Sequence, residues 1–297
     1  MSNPKDKLPN QPIDSGIGDS FGPDFVPDDE RTLTEELENL NIQPSNQINT
    51  KTLLDQAFTP DEENDTYLHV YIAKNSPDEA MQLIEMCPDK NLLNIQNYLG
   101  QTPLHVASYV NLDKVAMSLV HHDANLEIQD RDGKNVFHIC AERGHIETLE
   151  NVIKMACQTN KTNSAWNLLH STDFEGQAPF FLAALNKKKQ MCVTLAKLNI
   201  DVNQIDIKNG NTPIHEAILE QNIDYDFLEF LVKTCNLNIN AQNYAGITAL
   251  HLAAGRNDSN TYSKLLELGA NDSFVDIRDF TPEMCGPSDS IQLLNGV

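Results

Sequence analysis

Apolar positions in this chain follow two regimes, and the change between them comes near residue 65. Before it, polar stretches rich in Pro, Asn, Asp and Ser are broken by one amphipathic run. In that run, Leu33, Leu37 and Leu40 stand at i, i+4 and i+7, with Ile42 beyond and Pro44 behind. The spacing predicts one face of a short acidic helix, stopped by the proline. After residue 65 the apolar stripes come in pairs. In one such unit Ile139 and Ala141 lie on a first predicted helix and Gly144-His145 breaks it. Leu149, Val152 and Ile153 then form a second stripe at spacings of three and four. The unit predicted is helix, turn, helix, and it recurs.

The recurrence shows best in the turn that opens each unit. The turns read Asp65-Thr-Tyr-Leu-His69, Gly100-Gln-Thr-Pro-Leu-His105, Gly133-Lys-Asn-Val-Phe-His138, Gly176-Gln-Ala-Pro-Phe-Phe181, Gly210-Asn-Thr-Pro-Ile-His215 and Gly246-Ile-Thr-Ala-Leu-His251, with a degenerate Asp279-Phe-Thr-Pro-Glu-Met284 after them. Counted at the His position, the spacings are 36, 33, 43, 34, 36 and 33. Glycine permits the positive φ of the tip, Thr caps the first helix, and Pro in the first helical turn loses no hydrogen bond. This pattern resembles the ankyrin repeat, with its T-P-L-H-x-A signature. One helix pair cannot bury its own stripe, so units stack, each touching the next, with the hairpins projecting as fingers along one edge. The expected fold is an all-α ankyrin-repeat solenoid with β-hairpin fingers: six repeats and a degenerate seventh over residues 61–285. A disordered acidic regulatory tail over 1–60 and a short tail over 286–297 flank it.

Composition narrows the function. The 43 acids against 21 bases among 297 residues give a net charge of −22, which disfavours direct nucleic-acid binding and favours a basic protein surface as partner. Residues 1–64 hold 14 of the acids and 4 of the bases, and with few aromatics they cannot offset their ordering entropy. No run approaches a membrane span, and the first ten residues lack the apolar core of a secretory signal, so the cytosol or nucleus is expected and a membrane is not. The six cysteines (Cys87, Cys140, Cys157, Cys192, Cys235, Cys285) show no C-x-x-C spacing and are expected to be reduced and buried. Five histidines share one place in the repeat, where the ring is expected to brace the turn. No phosphate loop, nucleophile elbow or H-E-x-x-H motif is present. Neither an enzyme, a cofactor nor a metal is expected.

Short segments around the repeats carry the functional signal. Asp14-Ser15-Gly16-Ile-Gly-Asp-Ser20 offers two serines with acids beside them, which as phosphoserines would present paired charges of about −1.5 to −2 each to a basic pocket. Asp61-Glu-Glu-Asn-Asp65 is an acidic run at the edge of the first repeat, where a solvated helix-start cluster explains it equally well. Tyr98, Phe174 and Tyr244 each stand two residues before a tip glycine, as interface anchors or as packing against a neighbouring finger. The third-to-fourth interval is long, with a polar insertion around Cys157–Trp166, and the finger at Asn203–Gly210 has one residue more than its counterparts.

Together these features resemble the cytoplasmic inhibitor-of-NF-κB family, including its insect Cactus type, in the order of motifs as well as their identity. The resemblance implies a phosphodegron at Asp14, Ser15, Gly16 and Ser20, with one residue more than D-S-G-x-x-S. Ser15 and Ser20 would be phosphorylated by an IκB-type kinase and read by a β-TrCP-type ubiquitin ligase, with Lys5 and Lys7 as ubiquitin acceptors. It implies a nuclear export helix at Leu33, Leu37, Leu40 and Ile42 for an exportin, hence a cytoplasmic protein that shuttles through the nucleus. It also implies that Glu62, Glu63 and Asp65 receive the basic localisation segment of a Rel-homology (NF-κB/Dorsal-type) transcription factor dimer. Family members commonly end in an acidic tail, whereas Gly286–Val297 holds one acid, Asp289, so strong retention with weak stripping of DNA-bound dimer is expected. The alternatives are a nuclear coregulator of the same family and an ankyrin substrate adaptor of a ubiquitin ligase, the latter needing a ligase-binding box.

Overall fold

The computed structural model describes residues 54–285. Lys5, Lys7, Asp14, Ser15, Gly16, Ser20, Leu33, Leu37, Leu40 and Ile42 lie outside the described residues. The compact unit begins at Leu54, ahead of residue 61, and Ala57 and Phe58 are already buried in it.

Helix pairs follow one another in chain order. They are α1 (Tyr67–Ala73) and α2 (Pro77–Glu85), α3 (Pro103–Tyr109) and α4 (Asp113–His121), and α5 (Val136–Arg143) and α6 (Ile146–Gln158). An additional α7 (Thr162–His170) precedes α8 (Pro179–Leu185) and α9 (Lys189–Lys197), α10 (Pro213–Leu219) and α11 (Tyr225–Lys233), and α12 (Ala249–Gly255) and α13 (Ser259–Glu267). A single 3₁₀ turn at Pro282–Met284 opens the seventh unit. The first helices pack in series, α1 on α3, α3 on α5, α5 on α8, α8 on α10 and α10 on α12. This solenoid is what the period predicts. Among the described residues the fingers are too short for strand ladders; each is a hairpin-like turn, closed in the second by the Asn97 N–H on the Gln101 carbonyl at 2.9 Å.

First helices of seven or eight residues are too short to persist alone, so their ends and their neighbours must hold them. Thr66, Thr102, Thr212 and Thr248 are N-caps, and the histidine three residues on reaches back to each. Nδ1 of His215 accepts from the Thr212 backbone N–H at 3.1 Å and lies 2.8 Å from its hydroxyl. The other ring nitrogen crosses to the next unit: Nε2 of His69, His215 and His251 meets the carbonyls of Gln101, Ile247 and Phe280 at 3.1, 2.9 and 3.0 Å. Each of these rings is therefore both cap and inter-repeat strut, which fixes its neutral tautomer. Burial pulls His69, His105 and His138 down to about 4. In the fourth unit Phe181 takes the place of the histidine, and Phe137, Phe180 and Phe181 are fully buried where α5 packs on α8. Apolar packing replaces the polar strut there.

The long third interval is helical. α6 runs to Gln158 and α7 follows, burying Ala165, Leu168 and Leu169 while Trp166 stays exposed. Lys161 at its start bonds Asp123 at 2.9 Å and the Ala124 carbonyl at 3.1 Å, and Ser164 donates to Glu127 at 2.8 Å. The inserted helix thus rests beside the base of the third finger. The cysteines are free thiols, but Cys157 is exposed and Cys87 half-buried, unlike the buried set expected, because both lie where a second helix ends.

Candidate functional site

Every finger is built on one side chain. Oδ1 of Asn97 accepts from the N–H groups of Leu99 and Gln101 at 3.0 and 2.9 Å, and Asp130 does the same for Asp132 and Lys134 at 2.9 and 2.8 Å. Asp173, Asp206, Asn243 and Asp276 repeat the arrangement. So does Asp61, which accepts from Glu63 and Asp65 at 2.8 and 2.9 Å, with Asn64 at φ 61° where later fingers have glycine. The acidic run is therefore the tip of the first finger.

The residue after each of these anchors is the tip residue: Glu62, Tyr98, Arg131, Phe174, Ile207, Tyr244 and Ile277. From the second finger onward its N–H donates to the preceding finger. Tyr98 bonds the Glu63 carbonyl at 2.9 Å, Arg131 that of Leu99 at 3.0 Å and Phe174 that of Asp132 at 3.0 Å. Ile207 bonds Glu175 at 3.1 Å, Tyr244 bonds Asn209 at 3.0 Å and Ile277 bonds Ala245 at 3.1 Å. The tips are thereby joined in one continuous backbone row. The extra residue of the fifth finger leaves the register intact, since the acceptor is again the residue before the glycine.

Side chains along the row stay open to solvent. Phe174 is 64 % exposed, Ile207 62 %, Tyr244 60 % and Ile277 71 %. Phe174 and Tyr244 also lie against the tip glycines Gly133 and Gly210 of the preceding fingers, so the two sequence alternatives, packing and exposure, both hold. Sequence reasoning missed Ile207 and Ile277 because it sought aromatics; alignment on the Asp or Asn anchor finds them. It also missed Ile205 and Val275, both exposed, which stand two residues before Ile207 and Ile277. At that place Gln96 and Gln242 bond carbonyls of their own and the next finger. The aliphatic side chains give up those bonds.

The first tip is charged instead. Asp61, Glu62 and Glu63 are exposed. Asp65, expected with them on the acidic edge, is 5 % exposed and accepts from Asn97 Nδ2 at 3.1 Å, so it faces the second finger and not a partner. Burial pushes its carboxyl up to about 6, against the pull of the Asn97 bond, with the charges of Asp61 and Glu63 adding to the rise. The row thus runs from anionic at Glu62 to apolar at Ile277, a surface suited to a protein partner.

Comparison with known proteins places these features. The family described as Ankyrin repeats (3 copies) matches residues 137–243 and 180–279, and the family Ankyrin repeat matches residues 99–131. The chain is similar to the Nuclear factor NF-kappa-B p105 subunit of Gallus gallus, 27 % identical over 214 residues, which are 71 % of this chain and 21 % of that protein. It is similar to the NF-kappa-B inhibitor alpha of Homo sapiens, 28 % identical over 205 residues, 68 % of this chain and 62 % of the relative. The chain therefore spans less than two thirds of either. Among solved structures, the ankyrin repeat domain of Bcl-3, described as a unique member of the IkappaB protein family, matches with a TM-score of 0.66 and 26 % identity. The match covers 79 % of this chain and all of that domain.

Proposed function

The chain is an ankyrin-repeat protein whose relatives are members of the inhibitor-of-NF-κB family, and from that premise we propose that it binds a Rel-homology transcription factor dimer through the finger row. Glu62 and Glu63, with Asp61, receive the basic localisation segment of the factor, and the tips from Tyr98 to Ile277 take an apolar part of its surface. The observation that carries this reading is the row itself: acids at one end, exposed aromatic and aliphatic tips toward the other, held in register by backbone hydrogen bonds. Burying a side chain of this size contributes about 1.5–3 kcal/mol, so a few tips suffice for a specific complex.

In this proposal covering the localisation segment retains the factor in the cytoplasm, and the export helix at Leu33, Leu37, Leu40 and Ile42 returns free inhibitor from the nucleus through an exportin. Phosphorylation of Ser15 and Ser20 by an IκB-type kinase creates the site for a β-TrCP-type ligase, Lys5 and Lys7 accept ubiquitin, and destruction frees the dimer. The support is the order of motifs in the sequence.

The test is purification of the full chain with its partners from unstimulated cells. Recovery of a Rel-homology protein at one chain per dimer from the cytoplasmic fraction is the expected result. Recovery on chromatin only would favour the nuclear coregulator, and a ligase scaffold in place of a Rel protein would favour the substrate adaptor.

A further inference from the structure

Second helices are covered in turn along the stack, α2 by α4, α4 by α6 and α6 by α9. At the last described pair this series stops: α13 packs on α12 and no helix follows it among the described residues. The place a further helix would take is a groove of about 330 Å³, lined by Ala253, Ala254, Tyr262, Pro282 and Cys285 among others. The Tyr262 hydroxyl is shut off from solvent there and has no hydrogen-bond partner, which is uncommon for a buried hydroxyl. Leu266 on α13 and Met284 on the 3₁₀ turn remain 41 % and 60 % exposed.

We propose that Ser288–Leu294 of the same chain docks in this groove as the second helix of the seventh unit, closes the stack and supplies the partner that the Tyr262 hydroxyl lacks. Gly286-Pro287 is a helix-breaking pair directly after Cys285, and only those two residues tether the segment, so its effective concentration at the groove is high. The segment has the start and stop signals of a short helix. Ser288 and Asp289 stand at its beginning, Ile291 and Leu294 share a face at i and i+3, and Asn295-Gly296 follows. A terminal unit that closes a repeat array is a general requirement, because the last apolar face otherwise meets water. This inference is independent of the partner proposed for the finger row.

The experiment is a double-mutant cycle in the full chain, read by thermal unfolding, amide exchange over α13 and sedimentation. Leu294→Asp, and separately Ile291→Asp, should lower Tm and speed exchange in α13 while the chain stays monomeric. Tyr262→Phe should lower Tm in the wild-type background, where it removes a made hydrogen bond, and lose that effect in the Leu294→Asp background. Wild-type exchange in both aspartate variants would overturn the proposal. So would an identical Tyr262→Phe shift in both backgrounds, or a concentration-dependent dimer broken by Leu266→Asp, which would assign the groove to a second copy.

Discussion

The ring of Phe174 lies against the α-carbon of Gly133 on the preceding finger, so closely that a Cβ added there would stand 2.5 Å from the ring. Gly133 also has φ 79°, which an L-residue adopts only with strain. Gly133→Ala should therefore cost about 1–3 kcal/mol and displace the Phe174 ring from the row. Thermal unfolding checks the first effect and partner titration the second. A variant as stable as wild type would mean that the finger yields without loss.

Removal of single tips separates binding from folding. Phe174→Ala, Ile207→Ala and Tyr244→Ala should each weaken the proposed Rel complex by about 5- to 30-fold, the range of an interface anchor losing about 1–2 kcal/mol. Because each side chain is more than half exposed, Tm should move little. Titration calorimetry and melting on the same samples decide; unchanged affinity in all three would remove the row from the interface.

Neighbouring acids of the first finger should act differently. Glu62→Gln with Glu63→Gln should slow association mainly at low salt, since exposed charges are screened over about 8 Å at physiological ionic strength. Asp65→Asn should leave binding alone and raise Tm at pH 7, because it removes a carboxylate whose burial disfavours its charge while an amide oxygen can still accept from Asn97. An Asp65→Asn variant that folds normally and binds poorly would return this residue to the interface.

Acid should destabilise the stack in a defined window. The imidazoles of His69, His105 and His138 bind a proton near 6.5 when unfolded but only at about 4 when folded. Their contribution is therefore present above pH 6.5 and lost as pH falls toward 4, each worth up to about 3 kcal/mol. Asp65 opposes this, since its folded carboxyl takes a proton at about 6 against 3.8 unfolded, so acidification relieves its buried charge. Three rings outweigh one carboxyl, and Tm should drop between pH 7 and pH 5. A flat Tm over that interval would show that the rings are protonated without opening the caps.

Lys187 occupies the left-handed turn between α8 and α9 at φ 54°, where other units place Asn75, Asn111, Gly144 and Asn257. Its ion pair with Glu220 at 2.7 Å is partly exposed and worth little. Lys187→Gly should thus stabilise by about 0.5–1 kcal/mol, visible as a rise of a few degrees in a melt. A fall in Tm would mean that the ion pair outweighs the backbone strain.

The sequence by itself determined the elements that rest on short-range backbone chemistry: the capping threonines, the prolines in the first turn, the tip glycines, the histidine at N3 and the period that makes these units stack. Such features obey rules spanning about four residues, so they are readable wherever they occur. Tertiary structure decided the rest. It made Asp61–Asp65 a finger tip and not a helix-start cluster, because the Tyr98 N–H on the Glu63 carbonyl and the Asn97 bond to Asp65 join residues more than thirty apart. It put Glu63 outside and Asp65 inside the same five-residue run, a distinction no composition or spacing contains. It turned the polar stretch after Cys157 into a helix by giving Ala165, Leu168 and Leu169 a neighbour to pack on. It also raised Ile207 and Ile277 to the level of the aromatics, since exposure at a tip depends on what the preceding finger covers. Burial is a property of two repeats at once, whereas a cap or a turn belongs to one.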